Sequence, residues 1–182
     1  MSEPVDGVTI RRATTAELTP SDLDGLRDLL HAAFDDLTPE DVEHAMGGVH
    51  WLAERGGRLV GHASVVPRTL EADGTPILTG YVEAVAVHPS LQRGGVGTRL
   101  IVEADAHITA EYEIGALGTG EQAFYERLGW ERWQGPTFER TAAGDVRTPD
   151  EDDGVMVLRL PASPPLTLRE RLSCEWRPGD SW

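Results

Sequence analysis

The sequence predicts an α/β (α+β) fold, a mixed central sheet flanked by helices, in one domain spanning residues 1–182. Three observations carry that expectation. Strand-like and helix-like stretches alternate without a strict βαβ rhythm, which favours a mixed sheet over a purely parallel one. Gly80 to Val87 is a nearly unbroken apolar run, as expected of a central strand buried on both faces. A glycine-rich turn then leads from that run into an amphipathic helix, so backbone N–H groups are offered at a helix start, where an anion can sit.

Taken in order, Val8–Ala13 reads as a short strand, and Thr19-Pro20-Ser21 as a helix start. Leu23, Leu26, Leu30 and Ala33 recur at three- and four-residue spacing, a helical period. Pro39 opens a second short helix through Val42 and Met46, closed by Gly47-Gly48. His50–Glu54 and Arg58–Val66 are strand-like and meet through Arg55-Gly56-Gly57, which suits a hairpin. Asp73-Gly74 marks another turn, between Leu70 and Ile77. The helix after Gly97 carries Leu100, Ala104 and Ile108 on one face. Ile114–Leu117 is a short strand, and Thr119 opens a helix through Phe124 and Leu128. Residues 141–154 are rich in Gly, Pro, Asp and Glu and read as a loop. Val155–Leu160 is a strand, and the alternation from Leu166 to Trp176 predicts one more.

The net charge is −15. Such a chain repels nucleic acid and anionic lipid and attracts cations. Acidity of this kind serves solubility by default in soluble proteins; a polycationic substrate is the sharper alternative, and charge alone does not choose between them. No apolar run is long enough to span a membrane. The acidic stretch Met1–Gly7 lacks the apolar segment of a secretion signal. Cys174 is the single cysteine, which excludes a disulfide framework within the chain and a cysteine-based zinc site. No histidine has metal-ligand spacing to another ligand, so no metal is expected. A cytoplasmic setting is the expectation.

The loop Gln92-Arg93-Gly94-Gly95-Val96-Gly97 lacks the Gly-Lys-Ser/Thr of a P-loop, and its glycine spacing is not that of a dinucleotide fingerprint. Taken alone it is a glycine-bearing strand-to-helix turn. Upstream, Glu83 places a carboxylate inside the apolar run Val82–Val87, a costly position unless it faces a polar cavity. Downstream, Ala123-Phe124-Tyr125-Glu126-Arg127-Leu128-Gly129-Trp130 reads as an amphipathic helix closed by a glycine. Bland readings exist for other acidic groups. Asp36 suits a cap for the helix near Pro39, Asp150–Asp153 a solvated loop, and Trp182 a frayed terminus. Cys174 lies on a strand-like stretch with no adjacent histidine, which disfavours it as a nucleophile.

Gln92, Gly95 and Gly97 resemble the Gln/Arg-x-x-Gly-x-Gly/Ala hallmark of the GNAT superfamily of acyl-CoA-dependent N-acetyltransferases, and Phe124-Tyr125…Gly129-Trp130 is similar to its later Phe-Tyr…Gly-Phe motif. The resemblance implies the GNAT fold and acetyl-CoA as co-substrate. The loop Gln92, Arg93, Gly94, Gly95, Val96, Gly97 and Thr98 would hold the coenzyme A pyrophosphate, and the backbone of Val85, Ala86 and Val87 would pair with the pantetheine arm. Tyr125 would be the acid that protonates the leaving thiolate.

Over most of its length the chain also resembles the actinobacterial aminoglycoside 2′-N-acetyltransferases. The stretches that carry this are Phe34-Asp35-Asp36-Leu37-Thr38, Glu43–His50, Gly80-Tyr81-Val82-Glu83, Arg147–Gly154 and Cys174–Trp182. The resemblance implies an antibiotic-resistance activity on the 2′-amine of a polycationic aminoglycoside, with no nucleic acid or membrane partner and a homodimer as the assembly. It assigns aminoglycoside contact to Asp36 (with Asp35 adjacent), Glu83, Asp153 (with Asp152 adjacent), Asp180 and Trp182. Glu83 would be the base, Tyr125 the acid, and Trp182 would contribute its carboxylate at the same site. The alternative is a GNAT enzyme acting on another amine, such as a kasugamycin-like amino sugar, a polyamine or a protein amine.

Overall fold

The computed structural model describes residues 7–182. The leader reading at Met1–Gly7 therefore lies outside the described residues up to Asp6. The elements are β1 (Val8–Thr14), α1 (Pro20–Ala33), α2 (Pro39–His44), β2 (Val49–Arg55), β3 (Arg58–Ala72), β4 (Thr75–Val87), α3 (Val96–Glu111), β5 (Ile114–Gly118), α4 (Gln122–Glu126), β6 (Glu131–Arg132), β7 (Thr137–Thr141), β8 (Gly144–Arg147), β9 (Val155–Arg159) and β10 (Leu172–Glu175). Among the described residues the strands hydrogen-bond in the order β6-β9-β5-β4-β3-β10-β7-β8, with β2 on β3 and β1 on β2. Two pairs, β4–β5 and β10–β7, are parallel, while β1–β2, β2–β3, β5–β9 and β7–β8 are antiparallel, so the sheet is mixed as the sequence predicts. No helix of the described residues is long and apolar enough to cross a membrane.

The chain divides into two compact units, Met1–Val66 with Val82–Ala106, and Pro67–Tyr81 with His107–Trp182. In the first unit both leading helices start on capping boxes. Thr19 Oγ1 accepts the Asp22 N–H at 3.1 Å while Asp22 accepts the Thr19 N–H at 2.8 Å, and Thr38 and Asp41 repeat this at α2. Each box satisfies two donors that a helix start otherwise leaves open. Thr38 is therefore the cap of α2, and the capping alternative for Asp36 is wrong. Leu26, Leu29 and Leu30 of α1 pack with Ala86 of β4, Leu37, Val42, Met46 and Leu59. Each such leucine contributes roughly 1.5–3 kcal/mol by leaving water. Gly61 on β3 lies beneath α3: a Cβ there would stand 2.9 Å from Val96 Cγ1 and 3.1 Å from Leu100 Cδ1.

In the second unit β5 lies between β4 and β9, and Ile114, Ala116, Leu117, Val155, Met156 and Val157 are buried. Gly115 makes room for Trp130, whose Cη2 would be 2.9 Å from an added Cβ. Three sequence expectations fail here. Residues 141–154 are not one loop: β7 and β8 form a hairpin closed at Thr141↔Gly144, followed by a 3-10 turn at Pro149–Glu151. All four residues of β8 are exposed, so no apolar alternation announces the strand. The strand predicted from Leu166 to Trp176 is confined to Leu172–Glu175, where β3 and β7 supply backbone partners. The helix predicted to open at Thr119 is the short α4, because Thr119 Oγ1 turns back to accept the Glu121 N–H at 2.9 Å.

Candidate active site

The first unit holds the strand-loop-helix segment. At the end of β4, Val85 and Val87 are half-buried and Ala86 buried. Ala84 has φ +48°, a left-handed backbone that costs a non-glycine residue about 1–2 kcal/mol. It interrupts the regular strand one residue after Glu83. Glu83 itself is half-buried rather than enclosed. Its carbonyl accepts from Ser64 Oγ at 3.3 Å.

Beyond β4 the chain is folded back on itself. The His88 N–H donates to Val60 O at 2.9 Å, and His88 Nδ1 accepts the Ser90 N–H at 3.3 Å, opening a 3-10 turn at Pro89–Leu91. Gln92 Nε2 donates to Val87 O at 3.2 Å, tying the loop to the strand end. Arg93 and Gly95 take φ values of +63° and +90° on either side of Gly94. Left-handed residues interleaved with ordinary ones make successive N–H groups converge into an anion-binding concavity. α3 begins at Val96, so Val96, Gly97 and Thr98 lie in its first turn, whose N–H groups have no intrahelical acceptor. Val96 is buried and anchors that turn. Gln92 to Thr98 thus form a tight turn, with left-handed residues at Arg93 and Gly95, that leads directly into a helix start. Asp36, beside Asp35, lies exposed in the turn between α1 and α2.

The second unit holds the C-terminal constellation. Ser181 and Trp182 are each only 5% exposed, so the frayed-terminus reading fails. Trp182 Nε1 donates to Thr148 Oγ1 at 3.0 Å, and its backbone N–H to Asp180 Oδ1 at 3.0 Å. Arg68, itself buried, donates to Ser181 O at 2.7 Å and Glu175 O at 2.9 Å. Its guanidinium lies 4.7 Å from the Tyr81 ring centroid. The Ser181 hydroxyl reaches Glu139 Oε2 at 2.7 Å. Gly118 faces this end: an added Cβ would be 3.4 Å from the Trp182 carboxyl carbon and 3.6 Å from Tyr81 Oη.

The acidic run divides by role. Asp152 ion-pairs with Arg147 and accepts the Thr137 N–H and hydroxyl at 3.0 and 2.9 Å. The Arg147 hydrogen bond foremost, aided by Thr137, holds its carboxyl down to about 2. Asp153 is exposed, and its carbonyl accepts from Gln122 Nε2 at 2.8 Å, which binds the run to α4. Glu151 is half-buried, and its carboxyl is pushed up by burial first, then by the negative charges of Asp180 and Asp150. On α4, Tyr125 is buried with ring centroids 4.9 Å from Phe124 and 6.0 Å from Trp130. Cys174 is buried, its Sγ 3.3 Å from Ser181 O, and burial pushes the thiol up to about 11, which is unfit for a nucleophile at neutral pH.

Arg68 and Glu151 are the residues that sequence reasoning missed. A period-two reading of Val66, Arg68, Leu70 and Ala72 on one face of β3 would have exposed a cation among buried side chains; Glu151 sits in an acidic run with nothing to single it out. Among the described residues no group of three or more His, Cys, Asp or Glu side chains is arranged to hold a metal ion.

Residues 14–133 match the family model described as an acetyltransferase (GNAT) domain. The chain is 37% identical to an aminoglycoside 2′-N-acetyltransferase of Mycolicibacterium fortuitum, over 100% of this chain and 97% of that protein. A GNAT family acetyltransferase of Brucella melitensis, solved with acetyl-CoA, is 25% identical with a TM-score of 0.55, covering 68% of this chain and 82% of its own. The N-acetyltransferase YhbS of Escherichia coli, solved with CoA, shares the fold at 17% identity and a TM-score of 0.64, covering 96% and 93%. The family match over residues 14–133, which spans the strand-turn-helix segment, and the full-length likeness at 37% identity make this chain a member of the GNAT acetyltransferase family.

Proposed function

We propose that this protein is an acetyl-CoA-dependent N-acetyltransferase that acetylates the 2′-amine of aminoglycosides, conferring resistance to them. The observation that carries the acceptor is the full-length likeness to the M. fortuitum enzyme. The anchoring of Asp180 and Trp182 supports it. The co-substrate supplies an acyl thioester. The Gln92–Thr98 cradle takes its pyrophosphate, and the Val85–Val87 backbone takes its pantetheine arm.

Asp36, Asp153 and Asp180 accept charge-assisted hydrogen bonds from the ammonium groups of the sugar, with Trp182 beside Asp180. Asp153 is the partner in the acidic run because Asp152 is already committed to Arg147 and Thr137. Glu83 removes a proton from the 2′-ammonium, directly or through a water. The freed amine attacks the thioester carbonyl, which the backbone N–H near Val85 polarises. The C–N bond forms as the C–S bond breaks; Tyr125 gives its proton to the departing thiolate, and the surplus proton on the new amide nitrogen restores the tyrosine hydroxyl. Residues 1–182 act as one acetyltransferase domain, in a cytoplasmic homodimer that engages neither nucleic acid nor membrane.

Thiol release from acetyl-CoA, with paired aminoglycosides that differ in a 2′-amine or 2′-hydroxyl, tests the reading. Release with the amine and none with the hydroxyl is expected. Equal release with both would move the activity to another amine. All sixteen basic residues counted as Lys plus Arg are arginines, so no lysine side chain competes as an acceptor in the assay.

A further inference from the structure

Two buried histidines have no part in the chemistry above. His62 stands on β3 and His50 on β2, and neither ring is exposed. His62 Nδ1 lies 2.8 Å from Ala84 O. A carbonyl oxygen only accepts, so His62 Nδ1 carries the proton. In the neutral ring Nε2 is then an acceptor, and it lies 3.0 Å from His50 Nδ1, which must donate. His50 Nε2 accepts in turn, 2.7 Å from the Thr15 hydroxyl. Thr15 Oγ1 receives the N–H groups of Gly47 at 2.9 Å and Gly48 at 3.2 Å. Every proton along this path is fixed from the Ala84 end. Burial agrees with neutral rings, holding His50 at about 4 and His62 at about 3.

The path ends on the left-handed residue of β4. Ser64, on the same face of β3 as His62, takes the preceding carbonyl, that of Glu83, at 3.3 Å. Two successive carbonyls of β4 are thus held by side chains. An alanine at φ +48° persists only where its surroundings over-determine it. We propose that His62, backed by His50 and Thr15, is a positioning residue for acetyl transfer: it fixes Ala84 and so aims the Glu83 carboxylate and the Val85 N–H that flank it. This rests on the reading of Glu83 as base.

The test measures kcat and KM of His62→Leu, His62→Asn, Thr15→Val and Glu83→Gln from about pH 6.5 to about pH 9.5. His62→Leu lacks the donor and should lose kcat at least about tenfold near neutral pH, with the aminoglycoside KM within about twofold. The loss should shrink toward high pH, where the acceptor amine is already free and needs no base. His62→Asn keeps a donor near the Nδ1 position and should stay within about threefold of the native enzyme. Thr15→Val, nearly isosteric, should show the same pH-dependent loss in smaller measure, which keeps the test open if His62→Leu does not fold. NMR of the imidazoles should find both as Nδ1–H tautomers that do not titrate between about pH 5 and pH 8. Loss in Glu83→Gln with high-pH recovery, but a pH-independent loss in folded His62 variants or none, overturns the positioning role and leaves the base intact. No loss in Glu83→Gln overturns the base itself, and the positioning role with it.

Discussion

Glu83 sits among valines and alanines, half-buried, one residue before a left-handed alanine. A general base of this kind contributes typically 10²–10⁴-fold. Glu83→Gln is therefore expected to lower kcat about 100-fold or more while leaving the KM for acetyl-CoA within about twofold; steady-state kinetics with saturating aminoglycoside check this, and unchanged turnover would reject the role. Asp152 and Asp153, adjacent in sequence, part company in structure. Asp152 is held at about 2 by Arg147 and Thr137. Its folded value is depressed, so its contribution to stability is present above the ordinary carboxylate value and is lost as pH falls through that value toward about 2. Asp152→Asn should lower the melting temperature at neutral pH by roughly 2–4 °C. Asp153→Asn should leave melting unchanged and raise the aminoglycoside KM. The reverse pattern would exchange the two roles. Nothing in the run of acidic residues marks this division; the arginine that claims Asp152 lies in an unannounced hairpin.

The elements on either side of the Gln92–Thr98 turn were legible from periodicity: the apolar run of β4, the helical spacing of α3 and the turn chemistry between them. What was illegible is contact at a distance. His50 and His62 read as two unrelated strand residues until β2 and β3 pair and bring them together. Likewise β8 has no apolar face to reveal it, and Leu166 and Leu168 alternate like a strand without finding a ladder. The histidine pair carries a stability prediction with a definite sign. Both folded values lie below the ordinary 6.5, at about 4 and 3, so the unfolded chain binds more protons between those limits. Stability is full above about 6.5 and falls as pH drops below it, by up to about 1.4 kcal/mol per pH unit for each ring. Urea midpoints from pH 7 toward pH 4 should therefore slope less steeply in His62→Asn than in the native protein; equal slopes would contradict it.

At the scale of the molecule, a net charge of −15 admits a polycationic ligand without demanding one. The tail, which the proposed reading places at the acceptor site, is firmly anchored. Arg68 holds Ser181 from below, Thr148 holds the Trp182 indole, and Asp180 is locked by the Trp182 N–H. Removing Trp182, or extending the chain beyond it, should raise the aminoglycoside KM at least about tenfold with little change in acetyl-CoA binding; titration calorimetry with each ligand distinguishes this from general unfolding. A polycation bound beside Glu151 should bring its carboxyl back down, because a nearby positive charge opposes the elevation that burial, Asp180 and Asp150 impose. The family was legible in two short motifs, whereas the anchoring of the tail was not, since its partners come from β3 and from the segment after β8. The most direct measurement is the position of the new acetyl group. Two-dimensional NMR of the purified product should correlate the acetyl carbonyl with the proton on C2′ of the aminoglycoside, and a correlation to any other amine-bearing carbon would contradict the account.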